Sequence, residues 1–470
     1  MTPPIAAALR TAATDHNSTT DSRNAWDTRD TPGPQDRLDH DPATPTGRAP
    51  SAPSLRTAFA SLSTTHFRYY VGGVLVTSTG GWIQRIAQDW LVLSLSNSPT
   101  AVGITTMCQF LPSLVLGLGG GVIADRYPKR TILSVTMTMM GLLAGTLAVL
   151  VLTGRVQVWH VDLVALLLGV TMAVDNPTRQ SFVSELAPAG QIRSAVSMVS
   201  STFQLGAMLG PALSGVLITG VGSGWAFAIN GASYLVALLM LLRIPKGERR
   251  TRSPDGRELR PALRYARDTS TVRWPIALAG VIGMFTLSLP VSLSAVAKDV
   301  FHSGSAGYGL LSSALALGAV GGAVISARQA RTPRLRALVR NAALLGAAWL
   351  LCSGMPSAWL FVPVLVALGA ASINFITTAQ SMIQLTTPPR LRGRVLSVYL
   401  LVFFGGGAVG GPLVGWMCDT IGARSAMVVA GVVSAAAATA LAAYLSSAGH
   451  LRLRVEVPAR PREMVSIVGR

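Results

Sequence analysis

Long apolar stretches separated by short polar turns fill the chain from about residue 66 to residue 446. Crossing a bilayer takes about 20 predominantly apolar residues in a helix, and twelve stretches meet that length. They run 70–93, 101–123, 131–152, 158–178, 196–219, 225–243, 275–297, 307–327, 335–355, 359–382, 395–417 and 424–446. The pattern therefore predicts twelve transmembrane helices. The fourth run is the least clean, because Asp162 and Asp175 lie near its ends. Residues 1–56 are rich in Asp, Thr, Pro and Arg, have no sustained apolar core, and read as a disordered polar tail rather than a secretory signal.

Composition agrees with lipid as the solvent. Of 470 residues, 50% are hydrophobic and 13% charged, with a mean hydropathy of +0.48. Soluble domains are about a quarter charged. The net charge of +19, from 39 Lys+Arg against 20 Asp+Glu, would suggest nucleic acid in a soluble protein. Here its placement explains it. The turns after even-numbered runs hold 23 Lys and Arg, ten of them in 243–273, and the turns after odd-numbered runs hold 3. Basic residues gather on the cytoplasmic side, so the even turns and both termini are expected there, in a plasma-membrane protein with no nucleic-acid partner.

The chain also repeats itself. At an offset of 200 residues, Thr178, Gln180, Ser181, Pro188, Ser197, Gly206, Gly210, Leu213 and Gly215 meet the same residue types at 378, 380, 381, 388, 397, 406, 410, 413 and 415. Runs 4–5 thus overlie runs 10–11, and twelve helices divide as six plus six in parallel orientation, the arrangement of a two-lobed transporter. The expected organisation is a cytoplasmic tail (1–66), an N-terminal six-helix lobe (67–243), a basic linker (244–274), a C-terminal six-helix lobe (275–446) and a basic tail (447–470).

Other chemistries find little support. Cys108, Cys352 and Cys418 have no disulfide or zinc spacing. His16, His40, His66, His160, His302 and His450 are isolated from one another and from the run interiors. No metal or other cofactor and no enzymatic activity are expected. The glycines of GGGVIADRYPKR (119–130) lack a following GK[ST], which excludes a nucleotide phosphate loop.

That segment carries a resemblance instead. Its core, Gly121, Asp125, Arg126, Lys129 and Arg130, resembles the loop between helices 2 and 3 of the major facilitator superfamily, with Pro128 in place of the family's second glycine. GAMLGPALSG (206–215) resembles the fifth-helix motif of that superfamily's exporters, with Gly206, Gly210, Pro211 and Gly215 in the matching places. GGAVGGPLVG (406–415) echoes it in run 11 through Gly410, Pro412 and Gly415. GGWIQRIAQDWLVLSLS (80–96), DNPTRQSFVSEL (175–186) and LRGRVLSVYLLVFFGGGAVGGPLVG (391–415) resemble the enterobactin-exporter and macrolide-efflux branch of drug:proton antiporters. The resemblance implies an all-α integral membrane fold of twelve helices in two pseudo-symmetric lobes. It implies secondary active efflux by alternating access, with Asp125 as a conformational latch between the lobes. The glycines and prolines of runs 5 and 11 are then expected to pack the two lobes closely. One departure is that ALLLGVTMAV (165–174) carries no arginine where many proton-coupled relatives have one.

Within the membrane, run 1 holds the densest polar face: Gln84, Arg85, Gln88 and Asp89 in WIQRIAQDW (82–90). Arg85 and Asp89 are spaced i,i+4 and can pair. An ionisable group inside a membrane usually faces the bundle interior and marks a pathway. Asp89 is thus a candidate proton carrier, and the alternative is a structural ion pair near the interface. Gln109, Gln204, Asn230 and Asn374 are further candidates for the pathway, or else join helices. Asp175 precedes Pro177, where the helix is expected to break, and with Arg179 it can form a gate or cap. The reading is a monomeric, proton-coupled exporter of small amphipathic drugs or metabolites. A dedicated siderophore or secondary-metabolite exporter, and a non-transporting sensor or scaffold, stand as alternatives.

Overall fold

The computed structural model describes residues 64–187, 191–245, 260–328, 335–447, 452–454 and 466–468. The side chains of Asp125 and Arg193, most of the N-terminal tail, much of the linker and most of the C-terminal tail lie outside the described residues. Six long helices form the first half: α1 (Thr65–Ser96), α2 (Pro99–Arg126), α3 (Lys129–Leu152), α4 (Val158–Leu186), α5 (Ile192–Val221) and α6 (Ser223–Leu242). A short helix α7 (Arg260–Asp268) precedes the second half. There α8 (Ser270–Leu287), α9 (Leu289–Ala295) and a π turn (Val296–Val300) act as one span, followed by α10 (Gly304–Arg328), α11 (Leu335–Gly354), α12 (Ala358–Thr386), α13 (Pro389–Ile421) and α14 (Ala423–Ser447). Strands β1 (Arg452–Arg454) and β2 (Ser466–Val468) pair antiparallel beyond α14.

Eleven of these segments are long and apolar enough to cross a membrane. α1, at 32 residues, completes the twelve. It falls short on apolarity because its polar face interrupts the run. Side chains such as Val115, Val216 and Leu310 are exposed on the outside of the bundle, as lipid-facing residues are.

Two cores follow the two halves. One joins buried residues from Phe67 to Ile244 and takes in Val291. The other joins residues from Ala262 to Leu445 and takes in Ile86. The repeat is visible in the backbone: α4 and α12 begin and end 200 residues apart, and Gly222 and Gly422 close α5 and α13 at φ +89° and +87°. That conformation is essentially restricted to glycine.

The halves meet where α2 packs on α13 and α5 packs on α10. Small residues drive such contacts in lipid because they let backbones approach. A Cβ on Gly309 would lie 2.7 Å from the Pro211 carbonyl oxygen and 2.8 Å from Gly215 Cα. Gly415 likewise abuts Pro99 and Thr100. The other motif glycines behave differently from expectation. Gly206 and Gly210 pack against Ser78, Thr79 and Trp82 of α1, while Gly406 and Gly410 pack against Gly280 and Met284 of α8. Each motif therefore binds its own half through its first two named glycines and meets the other half further along, at Pro211 and Gly215 in α5 and at Gly411, Pro412 and Gly415 in α13.

One further expectation needs correction. α4 does not break at Pro177; it continues to Leu186. Inside a membrane, neighbouring helices and hydroxyl groups can satisfy the groups a proline frees, so a helix can continue through a proline. The linker also contains structure. α7 buries Ala262 and Ala266 on one face, and the Tyr265 hydroxyl donates to the Thr386 carbonyl at 3.0 Å, tying α7 to the end of α12.

Candidate functional site

The polar face of α1 lies at the junction of the halves. Asp89 is only 4% exposed. Its Oδ2 accepts a 2.8 Å hydrogen bond from the hydroxyl of Tyr308 on α10. Tyr308 is fully buried, and Trp90 stacks on its ring with centroids 6.3 Å apart. A carboxylate of the first half is thus held by a phenol of the second. The expected Arg85–Asp89 ion pair is absent among the described residues. Asp89 turns to Tyr308, whereas the Arg85 guanidinium lies over Phe110 at 5.3 Å and near Trp82 at 5.9 Å.

The amides divide. Gln84 Oε1 accepts from Asn230 Nδ2, and Asn230 Oδ1 accepts from Ser233 Oγ at 3.1 Å, so this pair joins α1 to α6. Gln88 is buried beside them. Gln109 and Gln204 are partly exposed on α2 and α5. Asn374 contributes its backbone carbonyl to the α11–α12 junction, where it accepts from Asn341 Nδ2 at 3.3 Å.

Asp175 and Arg179 form an ion pair inside the first half, and Thr136 on α3 donates to Asp175 Oδ1 at 2.6 Å. A buried pair needs such extra bonds, because desolvation otherwise outweighs the attraction. Two bases of the α2–α3 turn, Lys129 and Arg130, also bind within their own half. Lys129 pairs with Glu185 at the end of α4. Arg130 donates to the Leu241 and Leu242 carbonyls at 3.3 and 2.7 Å, a cation at the C-terminus of α6 where the helix dipole favours it.

At the opposite end of the bundle, hydrogen bonds cross between the halves. Asp419 Oδ2, on α13, accepts from Ser98 Oγ at 2.7 Å and from the Thr100 amide at 2.9 Å, with the Thr100 hydroxyl as a third donor. Asp419 thereby caps the N-terminus of α2. The Thr219 and Ser305 hydroxyls meet at 3.1 Å, and Lys298 donates to Asn97. Tyr308 and Asp419 escaped the sequence reading. Asp419 left one signal: an acid standing just before the turn at Gly422.

A profile of the family described as transmembrane secretion effector matches residues 56–455. The chain belongs to this family, within the major facilitator superfamily. As a family member it is a multi-pass membrane transporter and not an enzyme. Curated relatives include a multidrug efflux pump of Mycolicibacterium fortuitum, 26% identical over 74% of this chain and 88% of that protein. An enterobactin exporter of Citrobacter koseri is 24% identical over 68% of this chain and 77% of its own. A staphyloferrin A transporter of Staphylococcus aureus is 28% identical, but over 37% of this chain and 44% of that protein. Among solved structures, a bacterial homologue of the human lysosomal transporter Spinster, in an inward-facing and unoccupied conformation, superposes with a TM-score of 0.65 at 17% identity, covering 80% of this chain and 96% of that one. A nucleoside transporter gives a TM-score of 0.67 at 13% identity, covering 81% of this chain and 99% of its own. At those identities the structural likeness speaks for the fold alone.

Proposed function

We propose that the protein is a monomeric, proton-coupled exporter of small amphipathic drugs or metabolites in the plasma membrane, working by alternating access with both termini in the cytoplasm. The observation that carries this reading is the buried Asp89 carboxylate of α1 held by Tyr308 of α10. A hydrogen bond to an ionised acceptor is roughly twice as strong as a neutral one. Ionised Asp89 therefore holds the halves together at the Asn97 end, which the distribution of basic residues turns outward, and protonation loosens that hold. Proton binding and opening are linked through one side chain. Direction is supported by the exporters among the relatives.

The test is transport into everted vesicles with and without a proton uncoupler. Accumulation that collapses with the uncoupler supports the reading, and accumulation indifferent to it removes proton coupling. A cysteine placed in 243–273 should be labelled from the cytoplasm alone, and labelling of intact cells by an impermeant reagent would reverse the orientation. Asp125 acts in this scheme as a latch at the cytoplasmic end, so Asp125→Asn slows turnover while membrane insertion stays intact. Unaltered turnover would reduce the turn to a topology signal.

A further inference from the structure

We propose that Arg85 recognises an anionic group on the substrate, and that the transported compounds pair a carboxylate, or a comparably acidic group, with an aromatic ring. This deepens the transporter reading and rests on it.

Arginine is costly inside a membrane and is usually paired. Arg179 follows that rule with Asp175, and Arg130 at the end of the bundle has the Leu241 and Leu242 carbonyls. Arg85 has no carboxylate within ion-pair distance among the described residues. Asp89, one turn along the same helix, gives its Oδ2 to Tyr308. What Arg85 does contact is aromatic. Its guanidinium carbon lies 5.3 Å from the centre of Phe110 and 5.9 Å from that of Trp82. Ring faces attract the cation but accept none of the five N–H donors that guanidinium carries in its planar fork.

The rings continue across the junction of the halves. Phe110 of α2 stacks on Phe404 of α13 with centroids 5.8 Å apart and planes inclined by 19°. Trp82 faces Phe203 of α5 at 6.4 Å. Exposure separates this group from its neighbours: Gln84, Gln88 and Asp89 are buried, whereas Trp82, Arg85, Phe110 and Phe404 are partly exposed. The result is a cation with donors to offer, lined by ring faces of the first half, partly open, and one ring away from Phe404 of the second half. A carboxylate matches the guanidinium fork in a bidentate way, and a flat ring attached to it can stack on Phe110 or Phe404 in an offset arrangement. A cationic compound would meet repulsion at the same point.

The experiment measures binding to the purified full-length protein of three probes of one shape: 2-naphthoate, 2-naphthamide and 2-naphthylmethylammonium. Naphthoate is expected to bind at least about tenfold more tightly than the amide, with the ammonium weakest. Arg85→Gln should erase the carboxylate preference while amide affinity stays within about twofold, and Arg85→Lys should keep part of it. Equal binding of naphthoate and amide by the wild type would overturn the proposal, as would a preference that survives in Arg85→Gln. If Arg85→Gln does not yield folded protein, the wild-type ranking and Arg85→Lys decide. Uptake of the same probes into everted vesicles separates the two levels of the argument. Gradient-driven uptake of amide and ammonium as fast as naphthoate would sink the anion site and leave the transporter. Selective naphthoate binding without gradient-driven uptake would sink the proton-coupled reading and leave the site.

Discussion

The junction of α3 with α4 and that of α11 with α12 occupy equivalent places in the two halves, and their chemistry differs. In the first half the joint is charged: Asp175, Arg179 and the Thr136 hydroxyl. At the offset of 200, Asp175 and Arg179 become Phe375 and Ala379, both fully buried. The second joint is held by a neutral amide, Asn341 Nδ2, which donates to Thr378 Oγ1 at 2.8 Å. The same contrast separates α1, with Arg85 and Asp89, from α8 and α9, where Ser288, Ser292 and Ser294 are buried instead. The repeat keeps the path of the backbone and lets the interior change. Among the described residues the buried carboxylates, Asp89 and Asp175, both lie in the first half, and the second half answers the first of them with Tyr308.

This contrast can be broken by exchange. Asp175→Ala removes a buried carboxylate and leaves Arg179, whose side chain is 21% exposed, without its partner; it should destabilise the protein by about 3 kcal/mol, the low end for breaking a buried pair, read as thermal unfolding in detergent. Installing the second half's residues together, Asp175→Phe with Arg179→Ala, should recover most of that loss; no recovery would mean that the two joints are not interchangeable. Gly309→Val, which forces a side chain between α10 and α5, should cost about 1–3 kcal/mol. The same change at Gly220, where a Cβ meets open space, should be far milder in the same assay. Asp89→Asn should lower gradient-driven transport to about a tenth, corresponding to ~1.4 kcal/mol, while Tyr308 keeps an acceptor; normal transport would remove Asp89 from coupling. The smallest effect belongs to the neutral joint: Asn341→Leu should cost about 0.6 kcal/mol, typical of interhelical hydrogen bonds in membranes.

The twelve helices, the two halves and the polar face of α1 were legible because hydropathy and repetition are local properties of a chain. Asp175 and Arg179 were legible as a pair for the same reason, being one helical turn apart. Partner choice was not. Asp89 had an arginine four residues away and took a tyrosine 219 residues away instead, because a buried phenol from the other half reaches it while Arg85 is drawn to the ring faces. The glycine motifs were recognisable, but which surface each glycine meets depends on helix rotation, and that splits Gly210 from Gly215 within one motif. Pro177 misled because the rule for residues before proline describes local sterics and says little about a helix held on all sides.

Asp419 gathers three donors from the start of α2 on a single oxygen. Parting the halves at that end would strip the first turn of α2 of its side-chain acceptor. Asp419 is exposed and its donors Ser98 and Thr100 are partly so, so water is on hand to take the place of the carboxylate. The cap can then be broken and remade without stranding the first amides of α2.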